Sequence, residues 1–128
     1  MKNVLTLTLA AAFMATLTGC ASSQTATSST AKETKTYKVA VVKQLDHASL
    51  DEIAKAICDE FDAISEKEGV KIEYGDVYSG QNDQTVLQQI ASQVTSEGVD
   101  AIVPVATLAA QTMTVASDGT VPVVFAAI

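Results

Sequence analysis

From residue 37 onward, the sequence alternates short apolar segments with longer amphipathic ones, and this alternation limits the folds open to the chain. Strands are predicted at residues 37–43, 70–78, 101–105 and 121–128. Helices are predicted at residues 49–67, from Asn82 or Asp83 to about 96, and at about 108–116. The order β-α-β-α-β-α-β is typical of a parallel sheet covered on both faces by right-handed crossovers. We therefore predict an α/β fold with a doubly wound sheet in the flavodoxin-like order 2-1-3-4.

The first predicted helix has the clearest amphipathic pattern. Ser49, with Glu52 three residues on, predicts a capping box at its start, and Gly69 predicts its end. Acids and lysines occupy the face opposite a stripe of apolar residues at helical spacing. That stripe consists of Leu50, Ile53, Ala54, Ile57, Cys58, Phe61 and Ile64.

Residues 1–19 have the features of a signal peptide: Lys2 is followed by an apolar run at 4–15. As a helix this run would be about 18 Å long, too short for a hydrocarbon core of about 30 Å. The motif Leu17-Thr18-Gly19-Cys20 resembles a bacterial lipobox, which implies diacylglyceryl attachment at the Cys20 thiol and cleavage just before it. The alternative is a plain secretory signal with an incidental cysteine.

Residues 20–36 follow as a predicted flexible linker, because Ser, Thr, Ala, Gln and Lys bury too little apolar surface to offset the entropy of ordering. Residues 37–128 then form one predicted domain. The chain has 8 basic and 15 acidic residues, and the basic residues form no cluster in the sequence. This pattern argues against a nucleic-acid partner. We predict that Cys58 is a small buried hydrophobe, with a reactive thiol as the alternative. One histidine predicts no metal site, and the absence of a Walker or glycine-rich first turn predicts no cofactor.

Ligands of such sheets bind at the loops that leave the carboxyl ends of the strands. These loops are predicted at residues 44–48, 79–82, 106–107 and 126–127. Their acid, histidine, amides and hydroxyls suit a small polar molecule, and a helix N-terminus favours a carboxylate. Asp46 and His47 could form a catalytic pair, but no serine stands in an elbow motif, so we predict no enzyme. Asn82 and Asp83 are typical turn or cap residues.

Four segments in register resemble the substrate-binding lipoproteins of ABC importers, in the group that includes tryptophan and tyrosine binders. They are KVAVVKQLDHASLD at 38–51, GQNDQTVLQQI at 80–90, VDAIVPVATLAAQ at 99–111 and VPVVFAA at 121–127. The resemblance implies the first lobe of a type I periplasmic-binding-protein fold and a non-enzymatic role, capturing a small solute for permease subunits in the membrane. The chain departs from the family at Ala48 and Leu108, where proline is common.

The resemblance also implies a set of ligand-binding residues: Gln44, Asp46, His47, Gln81, Ala106 and Thr107. Asp46 is a candidate partner for a solute ammonium, and the N–H groups after Thr107 for a carboxylate. The implied location is the cell membrane, lipid-anchored on the extracytoplasmic face, which is the periplasmic side in a double-membrane cell. The alternative function is a lipid-tethered extracytoplasmic sensor or enzyme domain.

Relatives of this kind have two lobes, whereas Ile128 falls at the end of the fourth predicted strand of one. We therefore expect an incomplete first lobe, from a fragment or a truncated gene product, with a short four-strand domain as the alternative. An incomplete lobe should bind solute weakly or not at all.

Overall fold

The computed structural model describes residues 34–128, so the predicted signal peptide, Cys20 and most of the linker lie outside the described residues. The elements are β1 (Thr36–Lys43), α1 (Ala48–Glu68), β2 (Lys71–Glu73), β3 (Tyr78–Ser79), α2 (Gln84–Ser96), β4 (Ala101–Val105) and α3 (Thr107–Ser117). They form a parallel sheet with helices, which confirms the predicted α/β fold class.

Strand β1 is the centre of the sheet. It pairs in parallel with β4 along one edge and with β2 and β3 along the other. Strands β2 and β3 are the two ends of the predicted strand at 70–78, which the structure interrupts. The register runs from Lys38 opposite Glu73 to Val42 opposite Tyr78, so the partner strand has one extra residue between these pairs. The left-handed backbone of Gly75 (φ 57°) lies within that interruption.

The predicted last strand at 121–128 is present only as two bridges to β4, Ile102 to Val123 and Val105 to Ala126. It lies beside β4, which confirms the predicted strand order, but its regular pairing is shorter than predicted. Pro122 has no N–H to donate at the start of the ladder. At the other end, Ala127 has a left-handed backbone (φ 53°) that turns the chain out of the extended conformation.

Side chains that alternate along β1 and β4 build a core on each face of the sheet. On the first face, Val41, Val103 and Val105 pack beneath Ala54 and the apolar stripe of α1. On the second face, the sheet packs against α2 and α3. The buried residues of that face are Ala40, Val42, Leu87, Ile90, Ala91, Val94, Ile102, Ala109 and Met113.

The helix ends depart from the sequence prediction at one point. Helix α1 begins at Ala48, and its N-cap is His47, whose Nδ1 accepts the Ser49 N–H at 3.3 Å. The predicted Ser49 cap is therefore wrong, because the helix starts early enough to place Ser49 inside its first turn. Gly69 ends α1 in a left-handed conformation as predicted, and Asp83 is the cap of α2.

Candidate functional site

Three loops meet at the carboxyl edge of the sheet, and main-chain hydrogen bonds at Gln44 join them. The Gln44 N–H donates to the Val105 carbonyl at 3.1 Å, at the end of β4. The Gln44 carbonyl accepts the Asn82 N–H at 2.9 Å, from the loop after β3. The loops predicted to hold the ligand are therefore brought together.

The Gln44 side chain continues this connection. Its Nε2 donates to Asn82 Oδ1 at 2.9 Å, and its Oε1 accepts the Leu108 N–H at 3.0 Å. A proline at position 108 would have no N–H for this bond. Gln44, predicted as a ligand contact, thus has both ends of its amide engaged in positioning the neighbouring loop and the start of α3.

The N-terminus of α3 differs from those of the other two helices. His47 and Asp83 cap α1 and α2 with side chains, whereas Ala106 has no side chain that can cap α3. Within residues 34–128, the Thr107 and Ala109 N–H groups make no hydrogen bond, and the Leu108 N–H is bonded to Gln44. Thr107 is exposed and Ala109 is fully buried, so the Thr107 N–H is the donor that an anion could reach at the positive end of the helix.

Ala106 itself has a strained backbone. Its φ of 77° and ψ of 161° lie in a region that is essentially restricted to glycine. The conformation is held from both sides, since the Ala106 N–H donates to the Ala126 carbonyl and its carbonyl accepts the Ala110 N–H. Strain of this kind concentrates at ligand sites, where surrounding contacts fix one geometry.

We expect Ala106→Gly to raise the free energy of unfolding by about 1 kcal/mol, because relief of backbone strain outweighs the flexibility that glycine adds to the unfolded chain. The matched control is Ala101→Gly in β4, where the alanine has no left-handed φ and the change should cost about 0.5–1 kcal/mol. Urea unfolding of both variants measures the difference. Equal destabilisation by the two changes would show that Ala106 carries no strain.

Asp46 and His47, the possible catalytic pair of the sequence, are each engaged elsewhere. The Lys43 ammonium lies 2.7 Å from Asp46 Oδ1 and also contacts Asp51, with the Lys43 side chain only 14% exposed. Lys43, followed by the Ser79 hydroxyl, holds the pKa of the Asp46 carboxyl below its ordinary value. The hydrogen bonds that Lys43 donates to Asp46 and Asp51 raise the pKa of Lys43 in turn. A solute ammonium at Asp46 would therefore compete with Lys43, and His47 serves as the cap of α1.

These pKa shifts make the stabilisation of the fold by the Lys43–Asp46 ion pair depend on pH. The contribution of Asp46 to the stability of the fold is complete above about pH 4 and is lost as the pH falls through the lowered pKa of the folded state. The Lys43 contribution is present below about pH 10.4 and is lost as the pH rises through its raised folded pKa.

We accordingly expect Lys43→Met to lower the urea midpoint at pH 7 by on the order of 0.3 M, with the difference from wild type shrinking towards pH 2. Lys55→Met is the matched control, because the Lys55–Asp59 pair lies on the exposed surface of α1. Its midpoint should stay close to wild type at both pH values. A pH-independent loss in Lys43→Met would mean that the change acts through packing at this position and not through the charge of Lys43.

The loop after β3 contains the predicted Gln81 and two further residues of interest. Gln81 and Asn82 both have left-handed backbones, at φ 52° and 57°. Gln81 is exposed, whereas Asn82, predicted only as a turn or cap residue, makes the contact with Gln44. The tolerance of asparagine for this backbone is the one signal that marks Asn82 in the sequence. The buried Ser79 hydroxyl lies near enough to Asp46 to lower the pKa of its carboxyl, although it makes no hydrogen bond of regular geometry. No feature of the sequence around Ser79 marks it as part of the site.

Two further features of the described residues concern membrane spans and the reactivity of Cys58. Among residues 34–128, no helix is long and apolar enough to cross a membrane. The half-buried Cys58 has a pKa raised first by burial and then by Asp62 and Asp59, so its thiol is a poor nucleophile.

The chain is similar in sequence to a known protein family. A sequence profile described as ABC transporter substrate binding protein matches residues 38–128. A search of curated proteins finds no match.

The solved structures that are similar to the chain include three that are described as follows. The ABC domain in complex with L-Trp from Streptococcus pneumonia has 32% identity and a TM-score of 0.61 over 73% of this chain and 31% of that one. A conserved domain protein from Vibrio cholerae has 33% identity and a TM-score of 0.62 over 71% of this chain and 30% of that one. A ligand-free, open substrate binding protein with adhesive properties from Clostridium difficile has 26% identity and a TM-score of 0.52 over 70% and 30%. The chain thus spans about a third of the length of these proteins.

Proposed function

We propose, since the chain belongs to the family of ABC transporter substrate-binding proteins, that it captures a small solute with a carboxylate group and passes it to permease subunits. The observation that carries this proposal is the N-terminus of α3. It has free N–H groups at Thr107 and Ala109, a strained N-cap at Ala106, and no side-chain cap. A solute carboxylate would accept the N–H of the exposed Thr107 and interact with the positive end of the helix dipole, whereas Ala109 is fully buried.

An aromatic amino acid is the proposed solute class. The similar Streptococcus protein is in complex with L-Trp, which makes L-tryptophan the first ligand to test. In this proposal Gln44 and Asn82 hold the loops, and Asp46, His47 and Gln81 lie at the exposed mouth of the site. Asp46 would receive the solute ammonium only by sharing it with Lys43.

The test is a titration of the ¹⁵N-labelled chain with L-tryptophan, in which the amide chemical shifts are measured at each ligand concentration. We expect the Thr107, Leu108 and Ala109 signals to move, while the capped first turns of α1 and α2 stay in place. Indole-3-propionate retains the carboxylate and should move the same signals, whereas tryptamine lacks it and should not. Equal shifts with tryptamine would contradict carboxylate binding at α3.

The affinity of the chain itself should be low. It spans about 30% of the length of the matched structures, so we expect a dissociation constant in the range of about 1 mM, or about 4 kcal/mol of binding free energy. Micromolar binding would contradict the view that a second lobe completes the site. A thermal-shift panel of amino acids on the full-length gene product tests the solute class, and no stabilisation by any of them would count against it.

We also propose that the protein is a lipoprotein anchored through Cys20 on the extracytoplasmic face of the cell membrane, with residues 1–19 removed as a signal peptide. The support is the lipobox-like Leu17-Thr18-Gly19-Cys20 motif. Two acyl chains provide stable anchoring where one is marginal. The expected result is that Cys20→Ser moves the protein from the membrane to the soluble fraction, whereas the control Cys58→Ser does not. A membrane-bound Cys20→Ser protein would contradict the anchor.

A further inference from the structure

The Lys43 ammonium lies at the position where Asp46 would receive the ammonium of a solute. Lys43 is the last residue of β1, and its side chain is only 14% exposed. Its Nζ lies 2.7 Å from Asp46 Oδ1 and also donates a hydrogen bond to Asp51. The carboxylate that the sequence offered to a solute ammonium is therefore already bound to an ammonium of the chain itself.

The main chain of Lys43 is fixed on both sides, so the lysine cannot move away as a whole. Lys43 lies opposite Val105 of β4 and Ser79 of β3 in the register of the sheet. Its carbonyl also accepts the Gly80 N–H at 2.9 Å. A solute ammonium that approached Asp46 would therefore meet a lysine ammonium that stays nearby, and the two like charges repel.

Competition for Asp46 also favours the lysine. A group that the same chain holds beside its partner acts at an effective concentration of about 1 mM or more. The expected dissociation constant of the solute is itself about 1 mM, so the solute ammonium has no advantage in concentration over Lys43. The exchange would replace one ammonium–carboxylate pair with another of the same kind. A solute ammonium at Asp46 therefore adds little to the affinity.

We propose that Lys43 fills the ammonium position at Asp46, so that this domain recognises its solute through the carboxylate and accepts aryl carboxylates with or without an α-amino group. The inference rests on the proposed function, in which the solute carboxylate binds at the N-terminus of α3. It widens the solute class from aromatic amino acids to aromatic carboxylates in general. Lys43 is the residue that determines this specificity.

The test compares two ligands that share the indole and the carboxylate and differ in the ammonium, L-tryptophan and indole-3-propionate. Their dissociation constants are measured from the Thr107 amide shift of the ¹⁵N-labelled chain, at high salt, which screens the net charge of −7. For wild type we expect the two constants to agree within about twofold. Binding of L-tryptophan that is about threefold tighter or more would overturn the proposal. A Thr107 signal that neither ligand moves would instead contradict the proposed function itself.

Two double variants remove the lysine and leave the net charge unchanged. Lys43→Met with Asp51→Asn leaves Asp46 without its lysine, and L-tryptophan should then bind about threefold more tightly than indole-3-propionate. Lys43→Met with Asp46→Asn has no acid at position 46, and the two ligands should bind equally.

Equal binding of the two ligands to the first double variant would overturn the proposal, because Asp46 would then not be an ammonium position. A preference for L-tryptophan that is the same in both double variants would overturn it as well, because the preference would not depend on Asp46. Circular dichroism checks that each variant is folded. Should a variant fail to fold, the comparison of the two ligands on wild type decides the proposal.

Discussion

Gly80→Ala should lower the free energy of unfolding by about 2–3 kcal/mol, through overpacking at the candidate site. A Cβ at this position would lie 2.5 Å from Leu87 Cγ and 2.9 Å from the Gln44 carbonyl oxygen. Neither neighbour can move freely, because Leu87 is fully buried and the Gln44 carbonyl holds the Asn82 N–H. In a domain of this size the melting temperature should fall by about 10 °C or more.

The matched control for Gly80→Ala is Gly98→Ala, after α2. Gly98 has a left-handed backbone (φ 67°) but nothing within 4 Å of its Cβ position, so only backbone strain of about 1 kcal/mol applies. Thermal unfolding followed by circular dichroism compares the two variants. Equal losses would mean that the loop around Gly80 can shift to admit a methyl group.

Leu87→Ala should cost more, about 3–4 kcal/mol, because it leaves a cavity in the core between the sheet and α2. It also removes the side-chain atoms that a methyl group at position 80 would strike. In a double-mutant cycle we therefore expect Gly80→Ala to cost at least about 1 kcal/mol less in the Leu87→Ala background than in wild type. Urea unfolding of the four proteins measures this coupling. Additive losses would leave the Gln44 carbonyl as the main obstacle to a Cβ.

The fold was predictable from the sequence to a large extent, because it follows from periodicity. The apolar stripe of α1 is buried when it packs on one face of the sheet, and the wholly apolar β4 is buried when both faces of the sheet are covered. The breaks were less predictable. In residues 70–78, Gly75 is the one signal of a break in the strand. The pairing at only the two ends was not predictable, since it depends on one extra residue against the register of β1.

The candidate site was predictable as a place but not as a set of contacts. Parallel topology brings the loops to one edge, so the positions of Gln44 and Thr107 follow from strand order. The roles of the site residues depend on distances between side chains in loops that lie far apart in the sequence. The ion pair of Lys43 with Asp46 and the hydrogen bond from the Leu108 N–H to Gln44 are contacts of this kind, which the residue types alone do not indicate.

The central position of β1 also sets the timing of folding. Its partner in β4 lies 62 positions later in the chain, and the edge strands on its other side also come after it. At a synthesis rate of about 5–20 residues per second, roughly 3–12 s pass between production of β1 and production of β4. Contacts of such long range also slow the closure of the sheet once both strands exist. The pairing of β1 with β4 therefore cannot form during this interval, which is open to factors that recognise unfolded chains.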